Sequence, residues 1–200
     1  MHDPSQNIRH IASHFILLPN GNLGKWPVIT INSCGEILNI ETRSSFTERP
    51  GLELYPGLLL PAFTDIFVKD DDGIQTSAIN FNRHFSEGTI LLGCHNCKTN
   101  GFPITTKALS GELVKADFLI RPVYTDTPIF SRIKANTTTP LIEKLYLGTY
   151  LSANQTQYKN QLGQLSNGFK PGLIVLQGID LVKMKLANSA KIKWLNTPTL

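Results

Sequence analysis

The stretch YPGLLLPAFTDIFV, residues 55–68, separates two different sequence patterns. From residue 8 to about residue 60, short runs rich in β-branched residues are divided by turn clusters such as PNGN at 19–22. From residue 62 onward, apolar runs of strand length alternate with stretches of helical periodicity. The first pattern predicts a small antiparallel sheet or sandwich, and the second predicts βαβ units with a partly parallel sheet.

The N-terminal pattern contains a clear hairpin signal. The β-branched run at 28–31 and the run at 36–40 are joined by the turn residues NSCG. Such runs with a short turn between them are typical of paired antiparallel strands. Residues 14–18 and 52–55 add two more strand candidates, the second with an alternation that predicts one solvent-facing side.

The central and C-terminal parts predict a mixed α+β chain. Strands are expected at 62–68, 89–92, 117–124, 169–176 and 190–195, and helices at 76–87, at 104–115 and from Pro140 to Leu151, with a polar loop at 155–167. The helix that begins near Pro140 has the widest apolar face, and proline is favoured in a first turn. The strand at 89–92 is wholly apolar, which is typical of a strand buried on both faces.

The composition is that of an ordinary folded chain. Its 200 residues carry a formal net charge of +4, with 41% hydrophobic and 17% charged residues, which excludes disordered and fibrous classes. No apolar run approaches the roughly 18 residues that a membrane span requires. The densest basic stretch, residues 183–193, alternates with apolar residues, so we expect neither a nucleic-acid nor a membrane partner.

The cysteine content and the N-terminal residues predict a cytoplasmic protein. Three cysteines spread over the chain do not make a disulfide framework. Residues 1–6 lack a basic segment followed by an apolar run, which is the pattern of an export signal.

The most distinctive local motif is CHNC at residues 94–97, directly after a predicted buried strand. The carboxyl ends of strands in α/β sheets are where functional groups collect. Cys94, His95 and Cys97 are therefore candidates for a thiol or zinc site, and two structural thiols are the simpler interpretation. A structural zinc site takes four ligands, and Cys34 with the remaining histidines would have to complete it.

Two further patterns fail as metal sites. The run DDDG at 70–73 resembles the start of a calcium loop, but the twelfth position is Phe81 instead of an acidic residue. His10 and His14 are four residues apart, which on a strand places them about 13 Å from each other. We expect neither histidine to be a metal ligand.

Four segments, in order, resemble the amidohydrolase superfamily, in particular its cytosine-deaminase and chlorohydrolase-like branch. They are CGEILNI at 34–40, the stretch at 55–65, GTILLG at 88–93 and LGQLSNGFKPGLIVL at 162–176. In that family they correspond to a hairpin of the flanking β-sandwich, the crossing into barrel strand one, barrel strand two and the return into the sandwich. The resemblance implies a composite β-sandwich from residues 1–60 and 162–200, with a truncated remnant of a (β/α)₈ barrel at 61–161.

The sequence departs from the family where the catalytic metal is held. The two histidines that end barrel strand one in the family correspond here to Phe67 and Lys69. Phenylalanine has no donor lone pair, and a lysine ammonium repels a divalent cation. About a hundred residues separate Pro61 from the return near Leu162, whereas a closed barrel takes about 250.

These departures predict a non-catalytic, degenerate amidohydrolase-like protein that acts as a binding or oligomeric scaffold. We expect no cofactor, and a homodimer or a protein partner that covers the shortened sheet; the small-molecule ligand is not named by the sequence. The alternative is a hydrolase of non-peptide C–N bonds, or a thiol or zinc enzyme that uses Cys94, His95 and Cys97, with Asp65 as a further catalytic candidate.

Overall fold

The computed structural model describes residues 8–68, 80–95, 106–109, 126–180 and 182–197, and the chain divides into two compact units. Unit 1 comprises Met1–Pro61 with Gln164–Leu200, and unit 2 comprises Ala62–Gly163. The strands are β1 (Arg9–Ala12), β2 (Phe15–Leu17), β3 (Leu23–Lys25), β4 (Val28–Ile31), β5 (Ile37–Glu41), β6 (Leu52–Leu54), β7 (Leu58–Pro61), β8 (Phe63–Val68), β9 (Thr89–His95), β10 (Thr106–Leu109), β11 (Leu173–Asp180) and β12 (Lys185–Asn196). The helices are α1 (Phe81–Ser86), α2 (Ile129–Ala135), α3 (Leu141–Tyr146) and α4 (Ser152–Asn154), with a π-helical turn (Leu147–Leu151) between the last two.

Unit 1 consists of two sheets that share one core. The first sheet has the order β5-β4-β1-β6 and the second has the order β12-β11-β7-β2-β3. Their buried apolar side chains form one cluster, with Ile11, Ile29, Ile31 and Ile37 from the first sheet, Ile16, Leu59, Leu173, Val175 and Leu195 from the second, and Leu165 from the segment before β11. Burial of these aliphatic side chains is the main source of the unit's stability.

The predicted hairpin between β4 and β5 is confirmed. Val28 lies opposite Glu41 and Ile29 opposite Ile40 in an antiparallel pair. In the turn, the Asn32 side-chain oxygen accepts hydrogen bonds from the backbone N–H groups of Cys34 and Glu36, both at 3.0 Å. This side chain supplies the local hydrogen bonds that asparagine typically contributes to turns.

The sheet of unit 2 is parallel, in the order β10-β9-β8. Phe63 pairs with Thr89 at one end of β8 and β9, and Val68 pairs with His95 at the other. The side chains of Phe63 and Phe130 stack with ring centroids 6.2 Å apart, which packs α2 against β8. This contact brings α2 close to the polar residues of β8.

The helix predicted over 104–115 is wrong for residues 106–109, which form β10 and pair with Leu92–His95 of β9. The helical pattern there was short and interrupted at Gly111, and hydrogen bonding to a neighbouring strand overrides such a weak local preference. The strand predicted at 117–124 lies outside the described residues.

Two helix predictions agree with the structure in part. Of residues 76–87, the structure describes α1 from Phe81, where the Asn80 side chain accepts a hydrogen bond from the Arg83 backbone N–H at 3.1 Å. Such a side-chain acceptor at the first turn is a common helix start. The helix that begins after Pro140 continues through the π-helical turn to Asn154, three residues beyond its predicted end.

In the described part of the chain, no helix is long and apolar enough to cross a membrane.

Candidate functional site

Asp65 lies in the middle of β8 with no solvent-exposed surface, and Arg132 of α2 contacts both of its carboxylate oxygens. The Arg132 Nη1–Asp65 Oδ2 distance is 3.0 Å and the Nη2–Oδ1 distance is 2.6 Å. Arg132 Nη1 also donates to the Thr127 carbonyl oxygen at 2.8 Å. A bidentate guanidinium–carboxylate pair of this kind is among the strongest and most directional polar contacts in proteins.

His84 of α1 lies between two carboxylates. Its Nδ1 is 3.4 Å from Asp65 Oδ2, and its Nε2 is 3.8 Å from Asp126 Oδ1. The His84 side chain is almost completely buried, whereas the side chain of Asp126 is 38% exposed. The histidine therefore links a buried carboxylate to one at the surface.

Asp126 is held by groups at the start of α1. Its Oδ2 accepts a hydrogen bond from Arg83 Nη1 at 3.3 Å, and its Oδ1 accepts one from the Asn80 backbone N–H at the same distance. One imidazole thus lies between two carboxylates, each of which is paired with a guanidinium, and the formal charges of the two ion pairs cancel. A balanced cluster of this kind keeps its buried members ionised at a lower cost than isolated charges.

A second polar contact joins the end of α1 to α2. The carboxylate of Glu87 accepts hydrogen bonds from the Ser131 backbone N–H at 3.0 Å and from the Ser131 hydroxyl at 2.7 and 2.9 Å. Because Ser131 precedes Arg132, this contact helps to fix the guanidinium that faces Asp65.

A cavity of about 240 Å³ lies beside this cluster and is lined by residues of α1 and β9. Most of its lining is apolar, and His84 and Thr89 are its buried polar members. The arrangement therefore combines an apolar cavity with a histidine held by charged neighbours, as in many small-molecule sites.

The residues predicted from the sequence occupy two neighbouring strands. Asp65 is described completely, and its carboxylate is engaged by Arg132. Cys94 and His95 are the last two residues of β9, and their backbones pair with Phe67 and Val68 of β8. The side chains of Phe67, Cys94 and His95, together with Lys69, Cys97 and the run at 70–73, lie outside the described residues.

The other predicted donors are dispersed. His10 Nδ1 lies 3.1 Å from the Thr30 hydroxyl, and the His14 ring contacts Trp26 edge-on, with centroids 5.3 Å apart. Cys34 is exposed in the turn between β4 and β5. Among the described residues, no group of three or more His, Cys, Asp and Glu side chains has an arrangement that could hold a metal ion.

The sequence reasoning missed His84, Arg132 and Asp126 as parts of a cluster. One signal was available, because His84 follows Phe81 by three residues and precedes Phe85, which places it on the apolar face of the predicted helix. No motif marked Arg132, which is 67 positions from Asp65 in the sequence.

No protein-family model matches the sequence, and no curated protein matches it. Solved structures match parts of the chain. They include an N-acetyl-D-glucosamine-6-phosphate deacetylase from Mycobacterium smegmatis (12% identity, TM-score 0.32), an amidohydrolase from Brucella melitensis (13%, 0.30) and a beta-aspartyl dipeptidase from Fervidobacterium islandicum (10%, 0.32).

These matches cover 44%, 42% and 53% of this chain, and 26%, 25% and 34% of the three solved chains. The matched part of this chain therefore spans only about a quarter to a third of the length of each of those proteins. At such identities and TM-scores the similarity assigns neither an activity nor a ligand to this chain.

Proposed function

We propose that this chain is a non-catalytic protein derived from an amidohydrolase-like scaffold, in which unit 2 is a shortened barrel remnant that binds a ligand without hydrolysing it. The ordered sequence motifs at 34–40, 55–65, 88–93 and 162–176 support this origin. The proposal gives unit 1 the place of the flanking sandwich of that family.

The observation that carries the proposal is the engagement of Asp65 by Arg132. A carboxylate acts as a metal ligand or a general base through a lone pair that is accessible to the metal or the substrate. Here both oxygens of Asp65 accept hydrogen bonds from one guanidinium, which also places a positive charge beside any cation that would approach. Phe67 and Lys69, at the positions of the family's metal-binding histidines, offer no replacement ligands at neutral pH.

Metal content and hydrolysis measured together test this proposal. The purified chain is incubated with Zn²⁺ or Mn²⁺, desalted and analysed for bound metal, and then assayed on cytosine, hydantoin and hippurate as probes with non-peptide and amide C–N bonds. We expect substoichiometric metal and no product above the protein-free rate. Stoichiometric metal together with turnover that is lost in Asp65→Asn would overturn the non-catalytic role.

The backbone placement of Cys94 and His95 favours one alternative function. Both residues end β9 of a parallel sheet, beside Phe67 and Val68 of β8, and carboxyl ends of parallel strands are common positions for catalytic groups. A thiol whose pKa is lowered by a neighbouring histidine would act as a nucleophile, and a thiol pair could bind zinc.

Alkylation kinetics separate this alternative from the main proposal. Because Cys34 is exposed and would react in any case, the measurement uses a Cys34→Ser background, with Cys94→Ser and Cys97→Ser as further variants. The non-catalytic proposal predicts that neither remaining thiol reacts with iodoacetamide at pH 7 faster than free cysteine. If Cys94 or Cys97 reacts many times faster than free cysteine, and its replacement by serine removes that fast alkylation, the result would favour the thiol enzyme.

We also propose that the chain is a homodimer or binds a protein partner, and that it is cytoplasmic. Among the described residues, β8 and β10 are the outer strands of a three-stranded parallel sheet. Parallel sheets are normally covered on both faces, and uncovered strand edges favour association. Light scattering at micromolar concentration should give twice the 22.2 kDa chain mass, and a stable monomer would contradict the homodimer.

A further inference from the structure

Trp26 lies where the chain passes from one sheet of unit 1 to the other. It follows β3 of the second sheet, and only Pro27 separates it from β4 of the first sheet. Its φ is +45°, a left-handed conformation that bulky residues rarely adopt. Strained residues of this kind persist only where their surroundings hold them, and they are common in segments that bind ligands.

Neighbouring groups fix the Trp26 ring near the surface. The Trp26 backbone N–H donates to the His14 carbonyl oxygen at 2.9 Å. The His14 ring meets the indole edge-on, with ring centroids 5.3 Å apart and an angle of 87° between the planes. Both residues are half-buried. An aromatic ring that is already held in place loses little entropy when a second ring packs against it.

One aromatic ring of this chain already packs against the indole. The centroid of the Phe46 ring is 5.6 Å from that of Trp26, and the two planes are tilted by 46°. This distance is within the range in which aromatic pairs attract each other. Phe46 nevertheless remains 36% exposed, so it covers Trp26 without joining the core cluster of unit 1.

The segment that carries Phe46, residues 44–48, has no polar attachment. All five residues are exposed, and none of them makes a hydrogen bond or an ion pair with the described part of the chain. Outside the segment, the backbone N–H groups of Arg43 and Leu52 each donate a hydrogen bond, at 3.1 and 3.2 Å. Among the described residues, the ring contact with Trp26 is thus the one directional contact of the segment. A segment attached in this way opens locally without unfolding of the sheets.

Phe46 shows what the surface of Trp26 accepts, which is an aromatic ring on an exposed segment. We propose that Trp26 is the docking site for an aromatic side chain of a protein partner, and that Phe46 occupies this site in the unbound chain. Opening of residues 44–48 removes Phe46 and leaves the indole accessible to the partner's ring. This inference rests on the proposed binding of a protein partner and supplies the chemistry of the side chain that docks.

The partner is a different protein and not a second copy of this chain. Exchange of Phe46 between two copies would replace the intramolecular contact by an identical one, while association costs translational and rotational freedom. A different protein that presents a larger ring, from tryptophan or tyrosine, gains contact area over Phe46.

Acrylamide quenching of fluorescence tests whether Phe46 covers the indole. The background variant Trp194→Phe leaves Trp26 as the sole tryptophan. Phe46→Ala should raise the quenching constant of Trp26, whereas Phe46→Tyr, which keeps a ring, should leave it unchanged. Phe85→Ala is the matched control, because Phe85 is 44% exposed and belongs to unit 2, and it should also leave the constant unchanged. Circular dichroism confirms that the variants fold.

An NMR titration tests the docking site itself. In the same background the ¹⁵N-labelled chain shows one indole N–H signal, and the probes are N-acetyltryptophanamide and N-acetylleucinamide. We expect the first probe to shift this signal. Phe46→Ala should lower its apparent dissociation constant by roughly threefold to tenfold, because the competing ring is gone. N-acetylleucinamide, which has no ring, should cause a much smaller shift at equal concentration.

Three results would overturn the inference. One is an unchanged quenching constant in Phe46→Ala, which would show that Phe46 does not cover Trp26. A second is an equal response of the background protein and of Phe46→Ala to N-acetyltryptophanamide, including no response in either. A third is an equally large shift with N-acetylleucinamide, which would make the aromatic class of the docking side chain wrong.

The failure of this inference is distinguishable from the failure of the proposed function. Light scattering decides whether the chain is a homodimer, and metal content with turnover decides its non-catalytic role, in both cases without any change at Phe46. If those measurements support the proposed function while the probes leave the Trp26 signal unchanged, only the docking site is wrong.

Discussion

The guanidinium of Arg132 forms a bidentate pair with the carboxylate of Asp65, with Nη1 3.0 Å from Oδ2 and Nη2 2.6 Å from Oδ1. The Asp65 side chain has no exposed surface, and that of Arg132 is 10% exposed. Both ions have therefore lost most of their hydration, and each is stabilised mainly by the other. The pair joins β8 to α2 and is the central polar contact of unit 2.

Removing one member of this pair should destabilise unit 2 strongly. Arg132→Met leaves a buried carboxylate without its counterion, which costs about 3–5 kcal/mol. The double variant Asp65→Leu with Arg132→Met should recover a large part of that loss, because no uncompensated charge remains. Urea unfolding followed by circular dichroism at 222 nm is the appropriate measurement, since all the described helices belong to unit 2.

Arg83→Met is the matched control for that prediction. Arg83 pairs with Asp126 at 3.3 Å, but the two side chains are 48% and 38% exposed. Such an exposed pair contributes less than about 1 kcal/mol. Equal effects of Arg83→Met and Arg132→Met would show that burial does not set the strength of the Asp65 contact.

Gly57 should not tolerate a side chain. Its φ is +136°, and an added Cβ atom would lie 2.3 Å from the backbone oxygen of Leu176. The chain cannot move away easily, because the Gly57 carbonyl accepts hydrogen bonds from the Ser13 hydroxyl at 2.7 Å and the Phe15 N–H at 3.2 Å. We expect Gly57→Ala to cost at least about 3 kcal/mol.

Gly51→Ala separates backbone strain from this collision. Gly51 has a φ of +75°, and an added Cβ atom would meet nothing within 4 Å. Only the left-handed backbone remains unfavourable, at about 1–2 kcal/mol. Tryptophan fluorescence reports on unit 1, because that unit contains both tryptophans, Trp26 and Trp194. If the unfolding midpoint of Gly57→Ala is as high as that of Gly51→Ala, the prediction is contradicted.

The elements that could be predicted from the sequence are those whose signal is local. β4 and β5 combine β-branched runs with a tight turn, and β9 begins as a wholly apolar run. β10 was missed because its strand character depends on pairing with β9, a contact that neither its residues nor their spacing reveal.

The candidate site was predictable only at one residue. Asp65 was a candidate because residues 55–65 resemble a family motif and it was expected at the carboxyl end of a strand, but it lies in the middle of β8 and its chemistry is set by Arg132, 67 positions away. A pair so distant in sequence is brought together by packing of α2 on β8 through Phe63 and Phe130. The sequence predicted a reactive group, whereas the structure places there a carboxylate with both oxygens engaged.

Lys144 should be important for the end of α2. Its ammonium group, in a residue that is only 5% exposed, donates to the carbonyl oxygens of Ile133 (2.8 Å) and Asn136. These carbonyls lie at the end of α2, where backbone oxygens lack helical partners. Burial lowers the pKa of Lys144, but the two carbonyls still require its N–H donors.

Lys144→Met keeps most of the side-chain volume and removes those donors. We expect a loss of about 1–3 kcal/mol, because two poorly solvated carbonyls lose their hydrogen bonds. Lys159→Met, at an exposed position of the same unit, should stay within about 0.5 kcal/mol of the wild type. The measurement is again urea unfolding at 222 nm, and a Lys144→Met midpoint equal to that of Lys159→Met would disprove the capping role.

Glu53 makes the stability of unit 1 depend on pH. Its carboxylate accepts hydrogen bonds from Arg9 Nε and Nη2 and from the Tyr55 hydroxyl, all at 2.8 Å. Arg9 Nη1 also donates to the Leu195 carbonyl, which links the two sheets. The hydrogen bonds from Arg9 are the main cause that lowers the pKa of Glu53 from its ordinary value of 4.5 to about 2.

The direction of the pH effect follows from this shift. Between pH 4.5 and about 2 the unfolded chain binds a proton at Glu53 that the folded chain does not, so unfolding becomes more favourable as the pH falls. The stabilisation is therefore complete above pH 4.5 and is lost through this window. Because Glu53 is 35% exposed, solvent screening limits its contribution to about 1 kcal/mol.

At pH 6, Glu53→Gln should have a lower urea midpoint than the wild type by tryptophan fluorescence, and the difference should shrink as the pH approaches 2. Glu48→Gln, at an exposed position of the same unit, should follow the wild type throughout, and a Glu53→Gln deficit that persists unchanged at low pH would refute the assignment to this carboxylate.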